Sequence, residues 1–155
     1  MTSETHLDSK HDRPPGNLIS VTLNKRRVPL LLDSGACVSC MSHDFALKIG
    51  AEIKPVSQHV PENLFSADGV PLKVIGQTEA TVNLKGLLVP HVFVVIKDLN
   101  HKALAGMGFL QQTGCKLDMK ANTASFFDDL VILPLFRNTT ECAVLRTVID
   151  LWFQL

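Results

Sequence analysis

The chain has 155 residues, 46% of them hydrophobic and 19% charged, and its 15 Lys and Arg balance its 15 Asp and Glu. This length and apolar content specify one packed domain and exclude wholesale disorder. Zero formal net charge excludes a strong electrostatic preference for nucleic acid or an anionic membrane, and no apolar run reaches the roughly 18 residues of a helical membrane span.

Residues 1–16 are polar and end in Pro14-Pro15-Gly16, which reads as a disordered arm or linker ahead of a domain over 17–136. The arm lacks the apolar stretch of a secretory leader. Cys37, Cys40, Cys115 and Cys142 are therefore expected as free thiols in a reducing, cytoplasmic setting. From Asn17 onward, short strand-like runs alternate with turn signals, the pattern of an all-β fold. Ile19 to Leu23 alternates apolar and polar, Asn24-Lys25-Arg26-Arg27 reads as a hairpin tip, and Val28 to Leu32 continues as a more buried strand. A short helix follows over 43–50, with Ser42 as cap, Phe45, Leu47 and Ile49 as apolar contacts and Gly50 as the stop.

Ala67-Asp68-Gly69 marks a hairpin turn within 64–76. Two strands are expected over Gln77–Leu84 and Leu87–Ile96 through Lys85-Gly86, then one or two helical turns over 104–112. Lys116–Met119 and Thr123–Phe127 form another hairpin about Ala121-Asn122. In the tail, 137–155, the apolar residues Val144, Leu145, Val148, Ile149 and Trp152 recur at helical spacing.

The most informative segment is Leu30-Leu31-Leu32-Asp33-Ser34-Gly35-Ala36. A buried apolar strand runs directly into a carboxylate, a hydroxyl and a glycine that permits a tight turn. Alone, Asp-Ser-Gly is also an ordinary turn sequence. Hydrolysis by carboxylates needs two of them close together, because like charges at short range cannot both ionise and so divide into an acid and a base. The chain offers one such motif, so a second copy related by a two-fold axis must supply the other.

Further motifs add to this one. Leu31-Leu32-Asp33-Ser34-Gly35-Ala36 with Ser39 and Met41-Ser42, then Phe65-Ser66-Ala67-Asp68-Gly69-Val70-Pro71-Leu72, then Leu104-Ala105-Gly106-Met107-Gly108-Phe109-Leu110, then Cys115 to Phe127 follow in that order. In order, spacing and length the sequence resembles retropepsin-like aspartic proteases over roughly 18–136, and most nearly those of gypsy-type retrotransposon polyproteins. The resemblance implies a closed-barrel fold with one or two short helices, forming half of an enzyme per chain. It implies Asp33 as the water-activating carboxylate and Ser34, Gly35 and Ala36 as its loop. Ala67, Asp68, Gly69 and Val70 would form a flap over an extended substrate, and Leu104, Gly106 and Met107 the floor beneath. The implied partners are a second copy of the chain and a polypeptide substrate, a polyprotein in particular, with no nucleic acid, membrane or cofactor.

Two positions depart from the family pattern. Ala105 stands where a bulky aliphatic residue is usual, a change that costs about 2–5 kcal/mol in a core that does not adjust. Gly108 stands where Asp is usual. Two rival readings follow: an inactive module for dimerisation or peptide binding, and a protease of the ubiquitin-shuttle type, whose companion ubiquitin-like domains are not visible in this sequence. Cys37-x-x-Cys40 lacks the second ligand pair of a zinc site, so both thiols are expected to pack beneath the loop. His43, His59, His91 and His101 are expected as surface or turn residues, Asp128-Asp129 as a solvated turn, and Val131–Leu135 as a strand shared between two copies.

Overall fold

Ile19, Val21 and Leu23 point inward on alternate positions of strand β1 (Leu18–Leu23), and Val28, Leu30 and Leu32 do so on β2 (Arg26–Leu32). The connection is a two-residue turn in which Asn24 and Lys25 both have positive φ. That turn matches the strand twist, so β2 begins at Arg26, inside the expected four-residue tip. The computed structural model describes residues 17–137 apart from Glu62 and Ala67; the expected N-terminal arm and the helix expected in the tail lie outside the described residues.

The chain then forms β3 (Cys40–Ser42), helix α1 (His43–Lys48), β4 (Lys73–Leu84), β5 (Leu87–Lys97), β6 (Ala103–Ala105), helix α2 (Met107–Thr113), β7 (Lys116–Asp118), β8 (Thr123–Phe126) and β9 (Val131–Pro134). Six strands close a barrel in the order β1-β2-β6-β3-β5-β4, and β7-β8-β9 form a separate small sheet. The expected all-β closed barrel with two short helices is therefore borne out. The barrel is filled by a single large cluster including Ile19, Leu30, Met41, Phe93, Phe109 and Phe126.

Several boundaries move for physical reasons. The segment 104–112, expected to make one or two helical turns, divides into strand and helix at Gly106, because Ala103–Ala105 completes the barrel between β2 and β3. Three residues are too few for a readable period, and β3 was hidden for the same reason. In α1 the Ser42 hydroxyl accepts from the Phe45 N–H at 3.1 Å, as a cap should, while Phe45 and Ala46 are the buried residues. Leu47 is 60% exposed, since two helical steps turn it away from Phe45. β4 starts at Lys73, earlier than expected, and absorbs a bulge between Val74 and Gly76. Asp128 and Asp129 lie in an exposed turn, as expected.

Ser42 joins β3 to α1 and satisfies one otherwise orphaned helical N–H. Ser42→Ala is expected to lower stability by about 1 kcal/mol, read as a shift in the urea midpoint at constant slope.

Candidate active site

β2 and β6 run parallel, with Leu32 opposite Ala105, so both strands leave the barrel at the same end. The next residues are Asp33 and Gly106. The Asp33 N–H donates to the Ala105 carbonyl at 2.9 Å, and the Met107 N–H donates to the Ala36 carbonyl at 2.8 Å. These bonds hold the loop against the β6–α2 junction from both sides. Within the loop, the Gly35 N–H donates to Asp33 Oδ1 at 2.9 Å and the Ala36 N–H to the Asp33 carbonyl at 3.1 Å. One carboxylate oxygen is thereby oriented by backbone, while Ser34 and Gly35 remain exposed.

Gly106 is held by close approach. A Cβ there would come within 2.6 Å of the Val38 carbonyl and 2.9 Å of the Ala36 oxygen. Ala105 is fully buried in the barrel core and Leu104 belongs to a second, smaller cluster. Met107 is partly exposed, beside Asp33. Gly108, by contrast, faces open space, and α2 has no side-chain cap at Gly106.

The hairpin expected as a flap forms. Phe65 bridges Pro71, the Ser66 N–H donates to the Val70 carbonyl at 2.9 Å, and the Gly69 N–H donates to the Ser66 carbonyl at 2.9 Å. Gly69 has φ +82, a conformation that suits glycine. Asp68 and Val70 are exposed at its tip, and Ala67 lies outside the described residues. At its base Leu64 and Leu72 share the second apolar cluster with Ala36 and Val38 of the Asp33 loop.

A pocket of about 430 Å³ opens beside Asp33 and Ser34, bounded by Met107 and Leu110 of α2 and by Cys115 and Leu117. None of its walls comes from the 64–72 hairpin. It is the side face of the site, toward α2 and β7. Sequence reading missed Leu110, Cys115 and Leu117 here because their spacing shows only ordinary helix and strand residues.

Two expectations need correction. Cys40 is buried beneath the loop, but Cys37 is exposed, because the turn at 37–38 directs it outward. Burial, then the nearby Cys37 and Asp33, push the Cys40 thiol up to about 12, and burial pushes Cys115 to about 11. His91 is not a surface or turn residue. It is half-buried on β5, with Nε2 2.8 Å from Ser39 Oγ and Nδ1 3.2 Å from Gln112 Oε1. Among the described residues no group of three His, Cys, Asp or Glu side chains could hold a metal ion, and no helix is long and apolar enough to cross a membrane.

Gly106→Ala is expected to cost about 1–3 kcal/mol by overpacking, whereas Gly108→Ala, only two residues away, should gain about 1 kcal/mol from helix propensity. Denaturant titration of both variants checks the contrast. Alkylation at pH 8, mapped by peptide mass spectrometry, should modify Cys37 well before Cys40 or Cys115. Equal rates at the three thiols in the folded protein would contradict this assignment of burial.

The sequence over residues 19–112 matches the family model described as "gag-polyprotein putative aspartyl protease". No curated protein matches. Among solved structures, the chain is similar to the retroviral protease-like domain of Ddi1 from Leishmania major, with 24% identity, a TM-score of 0.61, and coverage of 78% of this chain and 90% of that one. It is also similar to the EIAV protease complexed with the inhibitor HBY-793, with 20% identity, a TM-score of 0.54, and coverage of 69% and 94%. At these identities the likeness is one of fold. The family match spans well over half of the chain, and with the barrel and its Asp-Ser-Gly-Ala loop it has one consequence: this chain belongs to the retropepsin-like aspartyl protease family.

Proposed function

We propose that the chain is an aspartic endopeptidase that works as a homodimer, with Asp33 of each copy meeting at the two-fold axis. The observation that carries this reading is the pocket beside Asp33. None of its lining comes from the 64–72 hairpin, and its β7 wall is, among the described residues, an unpaired sheet edge. All three residues of β7 are exposed, and Leu117 is 42% exposed within reach of the pocket.

The sequence of that edge is its own complement. If β7 pairs antiparallel with a second copy about Leu117, Lys116 stands opposite Asp118 twice, and the two leucines stand opposite each other. Opposite charges in register favour such a pair, and like charges disfavour it. The strand expected to be shared, Val131–Leu135, pairs on one side with β8 of its own chain, and Phe136 is bridged to Leu18. Among the described residues β7 and β9 are the two edges of this sheet, and β7 is the one that borders the pocket.

With two carboxylates at short range, one holds the proton and the other is ionised. The ionised group takes a proton from water as its oxygen attacks the peptide carbonyl carbon. The protonated group gives its proton to the carbonyl oxygen. Collapse of the tetrahedral diol breaks the C–N bond as a proton passes to the leaving nitrogen. Ser34, Gly35 and Ala36 shape the loop, and Leu104, Gly106 and Met107 support it from below. The hairpin carrying Ala67, Asp68, Gly69 and Val70 closes over an extended polypeptide and excludes water. The family description supports a polyprotein as substrate, and the gypsy-type retroelement reading is retained on the sequence motifs.

The test is cleavage of a mixed peptide library from acid to neutral pH by wild type, Asp33→Asn and β7 charge variants. Asp33→Asn is expected to lose at least about a hundredfold in rate, and wild-type rate should rise more than linearly with enzyme concentration. Lys116→Asp should weaken association by about tenfold, the scale of two disfavoured cross-strand pairs. Lys116→Asp with Asp118→Lys should restore it. A folded wild type that cleaves nothing at any concentration rejects the protease and leaves a binding module.

A further inference from the structure

Ser39 is a buried polar residue, 4% exposed, at the end of the Asp33 loop. Its hydroxyl oxygen accepts from the Gly106 N–H at 2.9 Å, at the point where the loop presses on the β6–α2 junction. Its carbonyl accepts from the Val94 N–H at 2.8 Å, tying the loop to β5. The remaining partner of the hydroxyl is His91 Nε2 at 2.8 Å, and His91 Nδ1 faces Gln112 Oε1 at 3.2 Å. With a carbonyl oxygen on the Nδ1 side, Nδ1 carries the proton and Nε2 accepts from the Ser39 O–H. The ring is also clamped edge-on by Phe93 and Phe109, with centroids 5.3 and 5.2 Å away.

This polar chain runs from the surface of α2, through β5, to the backbone one residue from the Ala105 carbonyl that receives the Asp33 N–H. The helix offers nothing equivalent of its own, because Gly106 provides no side-chain cap and Gly108 has no side chain. We propose that His91 is a positioning residue for the Asp33 loop, relaying Gln112 of α2 onto Ser39 and through it onto the Gly106 amide. The constellation is not a nucleophilic triad, since Ser39 is buried and already committed to Gly106.

The role rests on the protease reading only for its catalytic consequence; the mechanical coupling can be read without turnover. Burial lowers the affinity of the ring for a second proton, against a smaller raising effect of Gln112. Of the elements packed on the ring, α2 has no ionisable residue. Glu79 of β4 is in register with Val92 and so lies on the other face, and the loop contributes Asp33, Cys37 and Cys40. Protonation turns Nε2 into a donor and strands the Ser39 proton. The unfolded chain takes up this proton first. Stability therefore falls as pH drops below the ordinary imidazole value, and stops falling below the lowered folded value.

The test combines nitrogen-15 NMR of full-length wild type with kinetics of His91→Phe and His91→Gln. Phe fills the aromatic slot and removes both hydrogen bonds, whereas Gln keeps a donor and an acceptor. The His91 ring should remain in the Nδ1–H form below pH 6.5, and the Gly106 and Asp33 amides should shift with its titration midpoint. His91→Phe should lose about tenfold in kcat with KM nearly unchanged and lose the acid limb set by His91; His91→Gln should recover part of kcat. A ring that titrates at the ordinary value with unmoved Gly106 and Asp33 amides overturns the proposal. So does a folded His91→Phe with wild-type kcat and acid limb. If wild type cleaves nothing, the protease reading fails and the amide shifts alone decide the positioning role.

Discussion

The parallel pairing of β2 with β6 is the constraint on which the rest of the site depends. Parallel neighbours cannot be joined by a tight turn and need a long crossover, here supplied by β3, α1, the 64–72 hairpin and the β4–β5 ribbon. Because both strands point the same way, Asp33 and Gly106 leave the barrel side by side. The Asp33 N–H, which would have no partner past the end of β2, is satisfied by Ala105. The carboxylate is therefore positioned by barrel backbone at a place where one slipped register would remove it.

How much of this was legible follows from the length of each signal. β1 and β2 alternate over enough residues to be read, and the Asn24-Lys25 and Lys85-Gly86 turns announce their hairpins. The Asp33 loop was legible because a carboxylate ending an apolar run is uncommon chemistry at a strand end. β3 and β6 were not, since three residues carry no period and Ala103–Ala105 has weak strand preference; only closure of the barrel makes them strands. Ser39 and His91 were invisible as a pair because they are 52 residues apart and meet only through the β3–β5 pairing. The β7 edge reads as an ordinary hairpin arm until the sheet order shows that no described strand pairs with its outer side.

The two departures from the family pattern have different consequences. Ala105 is enclosed among barrel residues and still supplies the carbonyl that receives Asp33, so the backbone function of that position survives its smaller side chain. Gly108 leaves the first turn of α2 without a side-chain anchor, so its direct polar link to the loop is the Met107 N–H to the Ala36 carbonyl, and side-chain support comes from Ser39 and His91. Polar support for a buried loop has to come from some element, since an unpaired Ser39 hydroxyl and Gly106 amide would each cost about 1–3 kcal/mol.

The apolar interior is divided unequally. The large cluster fills the barrel, while the smaller one joins Leu64 and Leu72 at the base of the hairpin to Ala36 and Val38 behind Asp33. A small cluster of this kind comes apart at lower free energy than the barrel does, so the mouth of the cleft can breathe while the barrel stays folded. Because the same few side chains steady both hairpin and loop, a change that loosens one is felt by the other. The hairpin and the loop that carries the carboxylate are thus one mechanical unit, tied by side-chain packing.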